Sequence, residues 1–366
     1  MKNLHYCTIL LVVLGVNLVL LQDTYAQSRK QRVEHFLTQA MVKERIPGLA
    51  YAILEDNKIA MKGTLGMADL SWNQPVSTKT AFQLASVSKI YTGALLARLF
   101  SKGIFSPESK LENLIDSIPD NWKNITLLQL ATHQSGIQIG NFGEAKDGKE
   151  AFEIAKKQPF QFAPGDSENY VSSDYWILQY VIENKMGKPY FEVLKEYITT
   201  PLGMGHTFVD YWRGGHVLFS EIIPQKATIY HAASDPERYI EGIFPFVSTG
   251  YAAGGIYTSL DDMITLQRAL HDTSFIEIKY AKLIFSAQPL KSKMGTFGLG
   301  TMVYNYDGHP VVGHSGGPAL ADVCYFEKEG ITVIILTNQR GFYPYLAKSV
   351  ASFFIPGLKM EVPPSR

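Results

Sequence analysis

The sequence predicts a mixed α+β (α/β) fold: one antiparallel sheet built from both chain ends and flanked by helices, plus a mostly helical inserted region. Three observations predict it. Near the start, the apolar runs Leu49–Leu54 and Ile59–Leu65 flank Asp56-Asn57, the pattern of a hairpin. Near the end, four β-type runs follow one another: Gly298–Tyr306, Val311–Gly313, Ala321–Phe326 and Ile331–Thr337. Between them, from Ala85 to about Gly250, the pattern is mainly helical and broken by Pro and Gly. Strands at both ends with helices between them make one layered unit.

Each element has its own signal. Residues 27–46 carry an amphipathic helix (Val33, Phe36, Leu37, Ala40, Met41), which Pro47-Gly48 ends. Helical spacing recurs at Ile90–Phe100, Leu127–Thr132, Ala151–Lys157, Asp174–Met186 and Leu260–Leu270, and Tyr343–Phe354 reads as a closing helix. No internal repeat or low-complexity linker interrupts the chain. Residues 27–366 therefore read as one unit, with a sheet part at 27–84 and 251–366 and a helical part at 85–250.

Composition narrows the function. The 366 residues are 46% hydrophobic and 19% charged, with 34 Lys plus Arg against 34 Asp plus Glu. A net charge of zero lacks the basic footprint of a nucleic-acid binder. Lys2 and His5 precede an apolar run from Thr8 to Leu21, followed by Gln22 to Ala26. This is the order of a secretory signal peptide over residues 1–26, cleaved after Ala26. The protein is thus expected to be exported, periplasmic or secreted, with no stable membrane span after processing. The alternative is an uncleaved anchor, for which the run is short. Cys7 lies before the apolar run, so Cys324 is the only cysteine of the mature chain and no internal disulfide is expected.

The chemistry starts at Ser86-Val87-Ser88-Lys89, at the start of an apolar helix. Residues three apart share a helix face, and a lysine held neutral can take the proton of a serine nucleophile. The bland alternative is a helix-capping serine before a solvent-facing lysine. Four further segments argue against it: Leu130-Ala131-Thr132-His133-Gln134-Ser135-Gly136; Tyr170-Val171-Ser172 after Pro164-Gly165; Gly254-Gly255 before Tyr257-Thr258-Ser259; and His314-Ser315-Gly316-Gly317 at a strand. Acyl transfer needs a nucleophile, a base, an acid for the leaving group and donors for the oxyanion, and this set could supply them. Tyr175-Trp176, Tyr211-Trp212, Phe244 and Phe246 read as core packing or as cleft walls. No His-x-x-x-His or multi-cysteine spacing suggests a metal.

In these motifs, and in their order over residues 30–355, the chain resembles the serine β-lactamase and penicillin-binding-protein superfamily, most closely its class C β-lactamase-like branch. The resemblance implies a β-lactamase/transpeptidase-like fold and a serine hydrolase with no cofactor. It implies Ser86 as nucleophile, Lys89 as the activating amine and Tyr170 as the proton shuttle. It implies an oxyanion hole from the backbone N–H groups of Ser86 and Gly317. Ser172, His314, Ser315 and Gly316 match the substrate-binding positions, and Leu130–Gly136 matches a segment read as scaffold. Gly316 and Gly317 suit a strand that substrate backbone must approach closely.

Two departures bear on the substrate. Ser172 stands where the family pattern Tyr-x-Asn has asparagine, so one hydroxyl replaces a carboxamide. His314 stands where β-lactamases carry a lysine that holds the substrate carboxylate, and neutral histidine supplies little charge. Three readings follow. The first is an exported hydrolase acting through an acyl-enzyme on ester or small peptide/amide substrates. The second is a β-lactamase or D-alanyl-D-alanine carboxypeptidase. The third is a catalytically inactive protein that binds peptidoglycan fragments. The implied partners are accordingly a small-molecule ester, peptide or β-lactam, with cell-wall peptide among the peptides.

Overall fold

The computed structural model describes residues 28–138, 145, 148–210, 212–214, 218–235, 238–244, 246, 250–317 and 320–363. The expected leader, 1–26, and the wall candidate Tyr211 lie outside the described residues.

Helix α1 (28–44) opens the described chain and buries Val33, Leu37 and Ala40 at three-to-four-residue spacing. Strands β1 (Gly48–Glu55) and β2 (Lys58–Asp69) follow. Asp56 and Asn57 join them with φ of 46° and 64°, the two positive values that a type I′ hairpin turn requires. After β3 (Gln74–Pro75) and β4 (Phe82–Gln83) comes α2 (Ser88–Ser101), which is buried on nearly every side and is the central helix of the molecule. It lies so close to the 298–300 loop that a Cβ on Gly93 would stand 2.1 Å from the Leu299 carbonyl oxygen. The helices α3 (Leu127–Ala131), α4 (Gly148–Ala155), α5 (Ser172–Met186) and α6 (Tyr190–Leu194) complete the first half of the insert.

The second half departs from the helical expectation. It holds β5 (Thr207–Val209), β6 (Trp212–Gly214), β7 (Leu218–Ser220), β8 (Ile229–Ala232) and β9 (Tyr239–Gly242). Strands of three or four residues are too short to display a period of two, so the sequence pattern does not reveal them. β6–β7 and β8–β9 are separate two-stranded pairs, while β5 joins β4 and β10 (Ile256–Thr258) in a small sheet. Around β10 lie α7 (Tyr251–Gly254) and α8 (Leu260–Leu270), the latter capped by Ser259 accepting from the Asp262 N–H; α9 (Ile278–Phe285) follows.

The main sheet is mixed from both ends of the chain. Its order is β11 (Phe297–Gly298), β12 (Thr301–Tyr306), β13 (His309–Gly316), β14 (Ala321–Phe326), β15 (Ile331–Thr337), β1, β2, β3, and its pairs are antiparallel. β15 lies against β1, from Leu49 opposite Thr337 to Glu55 opposite Ile331. Helix α10 (Leu346–Ala351) closes the fold. The register sorts side chains onto two buried faces. Ala50, Ala52, Val323, Ile334 and Leu336 pack toward α2 and the helical region. Leu49, Tyr51, Ile53, Cys324, Val333 and Ile335 pack toward α1 and α10. With both faces covered, β1 and β15 read as continuous apolar runs rather than alternating ones.

Candidate active site

Ser86 lies in a one-turn 3₁₀ segment, Ala85–Val87, that feeds α2. Ala85 holds a φ of 45°, which L-residues adopt at a cost of about 1–2 kcal/mol, so the backbone is strained one residue before the serine. The half-buried serine faces the N-terminal, positive end of α2. Ser88 anchors the turn: its hydroxyl accepts from the Ile256 N–H at 3.1 Å.

One turn along α2, Lys89 is buried, 1% exposed. Its Nζ donates to the Ala253 carbonyl of α7 at 2.8 Å and lies 4.9 Å from the Tyr170 ring centroid and 5.1 Å from that of Tyr175. Burial brings its pKa down to about 7, against an upward pull from Asp174. At neutral pH much of this amine is therefore uncharged, the state a general base needs.

Tyr170 comes from a loop that two backbone hydrogen bonds tie to the turn after α3. The Asn169 N–H donates to the His133 carbonyl at 2.9 Å, and the Gly165 N–H to the Gln134 carbonyl at 2.9 Å. That turn starts from a capping box, in which the Thr126 hydroxyl accepts from the Gln129 N–H and the Gln129 side chain accepts from the Thr126 N–H. Tyr170 is 40% exposed, yet its hydroxyl lies near enough to the Ser86 side chain for that side chain to act on the phenol's pKa. Burial raises the phenol pKa and the Ser86 side chain opposes the rise.

His133 lies in the segment read as scaffold. It takes a φ of 58°, is buried, and its Nδ1 lies 3.0 Å from Asp174 Oδ2. Its ring lies 4.7 Å from that of Tyr170. Burial, with Lys89 and His314 nearby, pushes its pKa well below the ordinary range. The pair at neutral pH is thus a hydrogen bond between a neutral imidazole and a carboxyl group, not an ion pair. Asp174 also accepts from Ser135 Oγ at 2.5 Å, and burial pushes its pKa well up. This buried carboxyl had little signal in the sequence, because an acid in the first turn of a helix ordinarily reads as a partner of the helix dipole.

Strand β13 brings the last group. His314 pairs with Val323, on the face toward the helical region, and its ring lies 5.8 Å from that of Tyr170. Its Nδ1 lies 2.8 Å from the Ser315 carbonyl oxygen, which can only accept, so Nδ1 carries the proton. Nε2 is then a buried acceptor without a partner among the described residues. Burial and the nearby Lys89 push the imidazole pKa down to about 3, so it is neutral.

Ser315 is placed otherwise than expected. Alternation turns its side chain to the other face of the sheet, where its hydroxyl donates to Asp322 at 2.9 Å. Gly316 also has a different reason from the one inferred. A Cβ there would stand 1.9 Å from the Leu84 carbonyl oxygen, so the close approach is that of the serine turn itself. Gly317 is half-buried in the turn after the strand, and a Cβ on it would lie 3.9 Å from that of Ala85. Ser172 is the first, half-buried residue of α5, two positions from Tyr170. Ser86, Lys89, Tyr170 and His314 thus meet at one place, with Gly316 and Gly317 against the serine turn.

Among the aromatics, Tyr175 is core, donating to the Ala131 carbonyl at 2.8 Å. Phe244 and Phe246 pack with Ala85, Ile229 and Leu320 beside the serine turn. Among the described residues no group of three or more His, Cys, Asp or Glu is disposed to hold a metal ion.

A family model described as Beta-lactamase matches residues 33–350. The chain belongs to the Beta-lactamase family. It is 26% identical over 302 residues to a beta-lactamase of Yersinia enterocolitica, an alignment covering 78% of this chain and 72% of that one. It is 27% identical over 285 residues to a D-aminopeptidase of Brucella anthropi, covering 74% of this chain and 51% of that one. Its fold is similar to that of an octameric penicillin-binding protein homologue from Pyrococcus abyssi, with a TM-score of 0.76 at 23% identity over 88% of this chain and 77% of that one. The protein is a serine hydrolase of the β-lactamase and penicillin-binding-protein superfamily.

Proposed function

We propose that this protein is an exported serine hydrolase that acts through an acyl-enzyme on ester or small peptide/amide substrates. One observation carries the reading: a fully buried Lys89 with a pKa near 7, one turn from Ser86, its Nζ 4.9 Å from the centroid of the Tyr170 ring, whose phenol lies by the Ser86 side chain. Ser86 Oγ attacks the substrate carbonyl and its proton passes to Lys89 by way of Tyr170. The Ser86 and Gly317 amides hold the oxyanion, a contribution of roughly 3 kcal/mol per donor. The proton then returns through Tyr170 to the leaving oxygen or nitrogen. Water hydrolyses the acyl group with the same residues in reverse roles. A positioned acid or base of this kind is worth about 10²–10⁴ in rate.

The uncharged His314 favours esters and small peptides, since it offers an acceptor rather than a cation to a substrate carboxylate. The beta-lactamase and D-aminopeptidase relatives favour a second reading, turnover of β-lactams or of peptides ending in a D-residue. Ser86→Ala is expected to abolish labelling by a fluorophosphonate or a fluorescent penicillin; equal labelling of both proteins removes Ser86 as nucleophile. Purified protein tested on p-nitrophenyl acetate, nitrocefin and a D-Ala-D-Ala peptide separates the readings. Ester cleavage alone supports the first, and nitrocefin or dipeptide cleavage the second. Tight binding without any turnover would leave only a binding role. Export rests on the leader pattern of residues 1–26. N-terminal sequencing of protein recovered outside the cytoplasm is expected to begin at Gln27, and a sequence starting at Met1 would overturn cleavage.

A further inference from the structure

We infer that Glu168 is a positioning residue for the Tyr170 phenol: its carboxylate clamps the loop that carries Tyr170 to the residue that leads into β11. The inference rests on Tyr170 relaying the proton as proposed above.

The loop before α5 is held from two sides. On one side are the backbone bonds to residues 133 and 134, which need no particular side chain. On the other side lies Thr296, 128 positions from Glu168 along the chain. Both carboxylate oxygens of Glu168 accept from the Thr296 N–H, at 3.0 and 2.9 Å, and Oε1 also accepts from the Thr296 hydroxyl at 2.7 Å. Hydrogen bonds to a charged acceptor are the strong kind, and here two donors of one residue converge on it. The fit is close: a Cβ on Gly295 would stand 2.7 Å from Glu168 Oε2.

The clamp sits beside a pair of rings. Phe297 follows Thr296, is buried, and stacks on the Tyr170 ring at 6.0 Å with 23° between the planes. Its ring also meets that of His133 edge-on at 4.9 Å. Lys89 Nζ stands 4.9 Å from the Tyr170 ring centroid. Tyr170 thus joins the backing ring to the buried amine. Stacking is satisfied over a range of offsets, so the rings alone do not fix where the phenol stops. Glu168, two residues away, does fix it. Other ties between this loop and the same segment lie farther from the phenol. The Lys291 N–H donates to the Gly165 carbonyl at 3.0 Å, and the Lys291 ammonium pairs with Asp166 in the open, where an ion pair holds little.

Paired esters test the clamp. A p-nitrophenolate leaves as a stable anion, whereas phenolate is more basic and leaves better with a proton. The ratio kcat/KM reads the steps up to that departure. Glu168→Ala is expected to lower kcat/KM about tenfold more for phenyl acetate than for p-nitrophenyl acetate, as displacement of a proton donor would. Glu168→Gln keeps an acceptor for the Thr296 N–H and should recover most of the loss. In a Tyr170→Phe background, Glu168→Ala should cost nothing further, because its effect runs through the phenol. Thr296→Val removes the hydroxyl donor alone and should move the ester ratio the same way by less. It serves as the readout should circular dichroism show that Glu168→Ala does not fold. An equal loss on both esters, or the same loss again in the Tyr170→Phe background, overturns the inference and leaves Glu168 a merely structural residue. If Tyr170→Phe itself leaves both rates intact, the proposed proton relay fails and takes the inference with it, so the two failures are distinct.

Discussion

Lys89 carries a cost in stability that follows from its position. Its pKa is about 7 in the folded protein against 10.5 for the free side chain. Between these values the native state binds fewer protons than the unfolded one, so stability rises as pH climbs from about 7 to 10.5 and is flat below. The deficit at pH 7 is on the order of 5 kcal/mol for a shift of this size. Lys89→Met should therefore be inactive yet more stable at pH 7, with less difference between urea melts at pH 7 and pH 10 than the unsubstituted protein shows. A variant less stable at pH 7 would mean that the Nζ bond to the Ala253 carbonyl outweighs the burial of the amine. At this scale the residue types at 86, 89 and 170 could be read from the chain, since their chemistry depends on side-chain identity. The partners of Asp174 could not, because His133 and Ser135 lie about forty positions away and meet it only through folding.

The elements that carry these residues are held at fixed distances by backbone contacts. β13 meets the serine turn at Gly316, where a Cβ would stand 1.9 Å from the Leu84 carbonyl oxygen. Gly316→Ala must push strand and turn apart, with a loss of about 1–3 kcal/mol as in other overpacked sites. A displacement near 1 Å also costs about 10²-fold in rate, so labelling should fall by that much while Tm falls modestly. Normal labelling with an unchanged Tm would show that the strand yields without disturbing Ser86. The elements differ in how well the sequence announces them. Asp56-Asn57 announces the β1–β2 hairpin because both residues tolerate positive φ. Helices such as α2, α5 and α8 announce themselves through length and spacing, although ends of α2 and α5 differ by one or two residues. β5 to β9 are too short to do so. Alternation along β13 follows from being a strand, but only the pairing with β14 decides that His314 faces the helical region and Ser315 faces Asp322.

Across the whole molecule, the site exists because the sheet is closed by both chain ends. β15 pairs with β1, so the strand bearing His314 is brought beside the helix that begins with Ser88, more than two hundred positions earlier. The helical insert adds the Tyr170 loop from a third direction. By itself the sequence determined what short-range chemistry determines: the hairpin turn, the long helices, the apolar strands, and the presence of a hydroxyl, an amine and a phenol in one family's order. Tertiary structure decided the states of those groups. Burial holds the Lys89 amine near neutrality and strips charge from His314, while register sends Ser315 to the far face and folding gathers His133, Ser135 and Asp174. Side-chain identity is a local property, whereas desolvation and register are sums over neighbours that are distant along the chain.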